Sequence, residues 1–81
     1  MKIVFSEPFQ KRYKYLSDPL KERFKKQLAF LVKNLRHPSL RAKKYDGGED
    51  IWQARVDWHH RFYFQIRGDT YYILNLRKHR D

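Results

Sequence analysis

The chain has 81 residues, which bounds it to one small domain with little stability to spare. Nineteen Lys and Arg against nine Asp and Glu leave a net charge of +10, so its partner is polyanionic: RNA, DNA, an anionic membrane surface or an acidic protein. With no cysteine there is no disulfide framework and no thiolate to act as nucleophile or metal ligand.

No apolar run approaches the roughly 20 residues that cross a bilayer. The opening Met1-Lys2-Ile3-Val4-Phe5-Ser6 turns polar too soon for a secretory signal, which fits a cytoplasmic protein without a membrane partner. Residues 2–5 are an apolar run that reads as a strand. Ser6 caps a first helix with Glu7 and Pro8 in its opening turn, and Phe9, Tyr13 and Leu16 form its apolar face. Asp18 then serves as a second N-cap, with Pro19 at the first helical position. Leu20, Phe24, Leu28, Leu31 and Leu35 recur at helical spacing, opposite Lys21, Arg23, Lys25, Lys26 and Lys33. His37-Pro38-Ser39 stops this long amphipathic helix.

Residues 38–48 read as a basic loop that carries Arg41, Lys43 and Lys44 and closes in Gly47-Gly48. Three strands follow. Between Ile51 and Asp57, Trp52, Ala54 and Val56 alternate with Gln53, Arg55 and Asp57. Between Arg61 and Arg67, Phe62, Phe64 and Ile66 alternate with Arg61, Tyr63, Gln65 and Arg67. Gly68-Asp69 is a hairpin turn, and from Thr70 to Arg77 the apolar face is Tyr72, Leu74 and Leu76. The expectation is an α+β fold over residues 1–81: an N-terminal strand and a helical hairpin packed on an antiparallel sheet, in the order βααβββ. The open sheet face then presents Arg55, Arg61, Tyr63, Arg67, Arg77 and His79, a surface suited to a phosphate backbone.

Arg61 is the residue least explained by packing, since it stands on the open face of a mid-sheet strand. His59-His60 reads as an exposed turn, with no metal-ligand spacing around it. Trp52 and Trp58 read as core and turn packing, and the lysine-rich helix face as a solvated one. Glu49 and Asp50 are the available carboxylate bases.

Three stretches taken together resemble the RelE/ParE toxin superfamily: Ile51-Trp52-Gln53-Ala54-Arg55-Val56, His60-Arg61-Phe62-Tyr63-Phe64-Gln65-Ile66, and Leu74-Asn75-Leu76-Arg77-Lys78-His79-Arg80-Asp81. The loop from Pro38 to Gly47 resembles the family's basic loop. The likeness covers nearly the whole chain. Members are toxins of type II toxin–antitoxin pairs. The RelE-like branch cuts messenger RNA in the ribosomal A site without a metal or other cofactor. The ParE-like branch inhibits DNA gyrase. In both, a cognate antitoxin neutralises the toxin, and a chain this basic calls for an acidic one.

The resemblance implies cleavage by the RNA's own 2′-hydroxyl, which needs a base, cations around the phosphorane and an acid for the leaving oxygen. On the matching positions, Arg61 is the transition-state arginine, Lys44 a loop lysine for proton transfer, His79 the general acid or base, and Arg80 a further catalytic arginine. Arg55, Lys43, Arg41, Tyr63 and Arg77 are the RNA-binding residues. Some RelE-like toxins carry a tyrosine after the basic segment, where this sequence has Asp81; either Tyr63 or the His79 imidazole is left to serve. The RelE-like mRNA interferase is the favoured reading. A gyrase inhibitor and a degenerate, non-toxic member stay open.

Overall fold

The computed structural model describes residues 1–79. In chain order the elements are β1 (Lys2–Phe5), α1 (Glu7–Tyr13), α2 (Asp18–Lys33), β2 (Lys43–Asp46), β3 (Ile51–Arg55), β4 (His60–Arg67) and β5 (Thr70–Lys78). The strands form one sheet in the order β1-β5-β4-β3-β2. Its three junctions from β5 to β2 are antiparallel, as hairpins make them, whereas β1 lies parallel to β5. The helical hairpin carries the chain across one face of the sheet, from β1 at one edge to β2 at the other.

Both helices start on a serine. The Ser6 hydroxyl accepts from the Phe9 N–H at 3.2 Å and donates to the Leu74 carbonyl at 2.6 Å, tying the start of α1 to β5. Ser17, not Asp18, caps α2, accepting from the Leu20 N–H at 3.3 Å; Asp18 is the first helical residue, where its charge favours the dipole. The helix ends at Lys33, so Leu35 packs against the core from beyond it.

The core lies between the helices and one sheet face. Phe9, Phe24 and Leu31 meet Ala54, Val56, Phe62, Phe64, Tyr71, Ile73 and Leu76 there, with Leu40 sealing one end. Phe24 stands edge-on to Phe62 with ring centroids 5.3 Å apart, a favoured aromatic geometry. Burial also pushes the Tyr71 hydroxyl above its ordinary pKa. Among the described residues no helix is long and apolar enough to cross a membrane.

The structure departs from the sequence expectation at two further points. The basic loop contains a fifth strand, β2, at the sheet edge, all of its residues exposed. And β5 does not keep one parity: Phe64 pairs with Ile73 and Tyr63 with Asn75, so Leu74 is an unpaired bulge residue. Tyr71 and Ile73 face the core before the bulge and Leu76 after it, replacing the expected Tyr72-Leu74-Leu76 face.

Candidate nucleic-acid interface and active site

The bulge at Leu74 sets the position of the last strand. By restoring Leu76 to the core it brings Arg77 opposite Arg61, and Arg61 in turn stands opposite Arg55. Three arginines thus occupy one row across β3, β4 and β5, a span of roughly 10 Å at two interstrand spacings. Like charges directly opposite each other destabilise a sheet. A row of this kind is an electrostatic cost that an anionic ligand removes.

Each arginine is held differently. Arg77 lies over the Tyr63 ring at 4.9 Å, and Tyr63 is braced in turn by Tyr45 at 5.0 Å, so Tyr63 is a buried platform beneath a cation. Arg55 stacks on Trp58 at 5.0 Å. Its backbone is fixed at both groups: its N–H donates to the Leu40 carbonyl at 2.7 Å, and its carbonyl accepts from Gln27 Nε2 at 2.8 Å. Gln27 is buried, and it also donates to the Ser39 carbonyl and accepts from the Ser39 hydroxyl. One glutamine therefore joins α2 to the loop before β2 and to β3, the two segments that contribute Arg41 and Arg55 to the site.

Arg61 differs most from its sequence reading. It is only 8% exposed, and its Nη1 donates to the carbonyls of Asp57 at 2.9 Å and His60 at 3.0 Å, with Trp58 O at 3.5 Å. The residue expected to lack a structural role braces the β3–β4 turn. The reason is the turn itself, which curls its carbonyls back over the first residues of β4. The turn is closed from the other side by Asp57, whose carboxylate accepts from the His59 N–H at 2.8 Å and from His60 Nδ1 at 3.0 Å. Burial raises the Asp57 pKa, but these hydrogen bonds and the His60 charge outweigh it, and the carboxyl sits below its ordinary value. His59 and His60 are thus turn residues. Among the described residues no three His, Asp or Glu side chains gather as a metal-ligand set.

Arg61 lines a cleft of about 260 Å³ together with Arg41, Lys43, Gln53, Arg55 and His79. A second cleft, about 320 Å³, adjoins it through Gln53 and His79 and is walled by Tyr45, Tyr63, Arg77 and Lys78. His79 stands at the junction, its backbone N–H donating to the His59 carbonyl at 2.6 Å. Arg41 turns into the cleft through a left-handed backbone, φ 46°, a conformation that costs a non-glycine residue about 1–2 kcal/mol.

The structure therefore brings together Arg61, His79, Arg55, Lys43 and Arg41, with Tyr63 and Arg77 alongside. It does not bring in Lys44. Lys43 pairs with Gln53 and Lys44 with Trp52, so the two lysines emerge on opposite faces of β2. The Lys44 ammonium binds the Asp50 carboxylate and lies over Trp52 at 5.4 Å, away from the cleft. That contact holds the Asp50 carboxyl below its ordinary pKa and occupies one of the two carboxylates available as a base. Arg80 lies outside the described residues. The site also contains Gln53, buried and shared by both clefts, which sequence reasoning misses as a site residue; the signal was its alternation with Trp52 and Ala54, which puts it on the arginine face. Trp58 is 73% exposed and packs in no core, against the expectation that it fills the turn.

A family model describing the ParE toxin of the type II toxin–antitoxin system parDE matches residues 3–81. The chain belongs to this toxin family. Solved structures of YoeB, ParE and RelE toxins share its fold. A YoeB/ParE toxin from Agrobacterium tumefaciens superposes with a TM-score of 0.83 at 17% identity, over 99% of this chain and 100% of the other. A YoeB dimer from Staphylococcus aureus gives 0.82 at 18%, over 99% and 98%. The intact RelBE toxin–antitoxin complex of E. coli gives 0.75 at 16%, over 99% and 98%. No curated protein sequence matches the chain.

Proposed function

We propose that this toxin is an endoribonuclease that cuts messenger RNA on the ribosome by attack of the RNA's own 2′-hydroxyl. The observation that carries the reading is the row Arg55-Arg61-Arg77, which spans two adjoining clefts that meet at His79. A phosphorane gains negative charge on its equatorial oxygens, and guanidinium groups fixed before the reaction stabilise that charge most effectively. Arg61 and Arg55 hold the scissile phosphate, and Arg77 with Lys43 and Arg41 holds the flanking backbone. His79 takes the 2′-hydroxyl proton as general base, and the imidazolium so formed returns it to the departing 5′-oxygen as the 2′,3′-cyclic phosphate closes. Side chains supply each element of this reaction, and no cofactor enters it.

The proposed antidote is an acidic antitoxin. An apolar groove of about 420 Å³ between the helices, lined by Phe5, Phe9, Tyr13, Phe24 and Leu28 and rimmed by Lys14 and Lys25, suits one face of an amphipathic helix with acidic edges. Toxins of similar fold are known in complex with antitoxins, among them the S. aureus YoeB-YefM heterotetramer.

A reconstituted translation reaction tests the activity. Ribosomes programmed with a defined message and incubated with the toxin should release fragments that end in a 2′,3′-cyclic phosphate, and the free message should stay intact. The second reading, inhibition of DNA gyrase, is favoured by the ParE character of the matching family model. It predicts uncut messages in that reaction and a block of DNA supercoiling instead.

A further inference from the structure

The groove of about 370 Å³ between α2 and the end of β3 lies outside the arginine–histidine cleft, but shares Arg41 and Arg55 with it. Arg23 and Lys26 project into it from α2, and Trp58 forms its far wall. Trp58 is 73% exposed, an unusual state for an indole, and the surrounding turn is closed without it by Asp57, His60 and Arg61. The Arg55 guanidinium lies 5.0 Å from the Trp58 ring, which fixes the ring orientation while leaving most of the indole open. The groove's carboxylate, Asp57, is engaged by His59 and His60.

An open ring beside cations is what an unpaired nucleobase and its phosphates require. The carboxylates of an acidic peptide would use the cations, whereas a nucleobase uses the cations through its phosphates and the indole through its ring face at the same time. We propose that this groove is a second binding site for single-stranded RNA: one unpaired base stacks on Trp58, and the neighbouring phosphates pair with Arg23, Lys26 and Arg41. Because Arg41 and Arg55 border both spaces, a single strand runs from the cleft into the groove. The site rests on RNA being the substrate, as proposed above, and adds to that reading a reader of the nucleotide beyond the cut.

The test is equilibrium binding of a short fluorescein-labelled oligoadenylate to the full chain, without ribosomes, followed by fluorescence anisotropy for every variant and by tryptophan quenching in the wild type. Trp52 is half-buried and stacked on Phe64, so quenching reports chiefly on Trp58. Trp58→Ala should weaken binding about 5- to 150-fold, the range for losing one base stacked on an aromatic ring, whereas Trp58→Phe should keep most of the affinity. Arg23→Gln with Lys26→Gln should flatten the dependence of log K on log salt by about 1.4, two phosphates' worth for a single strand. Unchanged circular dichroism establishes that the variants fold. Oligoadenylate binding by Trp58→Ala equal to wild type would overturn the proposal, as would an Arg23→Gln, Lys26→Gln protein that loses binding to polyglutamate, added as an acidic-peptide probe, while binding oligoadenylate as the wild type does. Cleavage is not read in this assay. A toxin that binds through Trp58 but never cuts keeps the site and loses the nuclease reading; one that cuts with Trp58→Ala binding unaltered loses only the site.

Discussion

Replacing Arg61 by alanine should destabilise the fold as well as disarm the cleft. Its Nη1 makes two well-formed hydrogen bonds, to Asp57 O at 2.9 Å and His60 O at 3.0 Å. Hydrogen bonds from a charged donor contribute about 1.5–3 kcal/mol each when their acceptors stay dry without them. Here the acceptors belong to a turn whose Trp58 and His59 are exposed, so water replaces much of what is lost. Alanine also relieves the repulsion from Arg55 and Arg77 opposite, worth about 0.2–1 kcal/mol per pair. The hydrogen bonds win, and the net cost is about 1–2 kcal/mol, or roughly 5–15 °C in Tm for a domain of this size. Raising salt screens the repulsion that only the wild type suffers, so the gap between the two proteins should widen between low and high salt. Thermal melts by circular dichroism over a salt series measure both effects. An Arg61→Ala protein that melts with the wild type, or a gap that narrows with salt, would refute the reasoning.

Other outcomes follow from the same geometry. Lys43→Ala should reduce message cleavage in the ribosome assay at least tenfold, while Lys44→Ala leaves it nearly unchanged, because the two side chains leave opposite faces of β2. Gln27→Ala should cost about 1–3 kcal/mol in urea denaturation, since the Arg55 and Ser39 carbonyls lose their buried donor. Asp57 has a depressed pKa when folded, so its stabilisation is present above the unfolded value and fades as pH falls through the folded one. Asp57→Asn should therefore lower the urea midpoint at neutral pH, with the difference closing below about pH 4.

The apolar alternation of β3 and β4 and the stripe of α2 are legible in the sequence because burial on one face imposes a period. That same alternation puts Arg55 and Arg61 on one face from residue type alone. It fails where no face is buried: Lys43–Asp46 carries no apolar pattern, and its strand character comes from pairing with β3. It fails again at Leu74, because a bulge changes parity without leaving a mark in residue type. The parallel pairing of β1 with β5 joins the two ends of the chain, beyond the reach of any local signal. Lys43 and Lys44 show the consequence for the site: one residue of uncertainty in an unrecognised strand exchanges the cleft lysine for its neighbour. The face on which Arg61 stands follows from the alternation, but its structural role depends on carbonyls whose direction residue identity does not disclose.

The most direct measurement is the map of 5′ ends of cellular messages after induction of the toxin, with and without the adjacent gene product. Growth arrest with new cuts in frame within translated regions, suppressed by the partner, is the result expected of a ribosome-dependent nuclease. Arrest with intact messages and unsegregated DNA would contradict it.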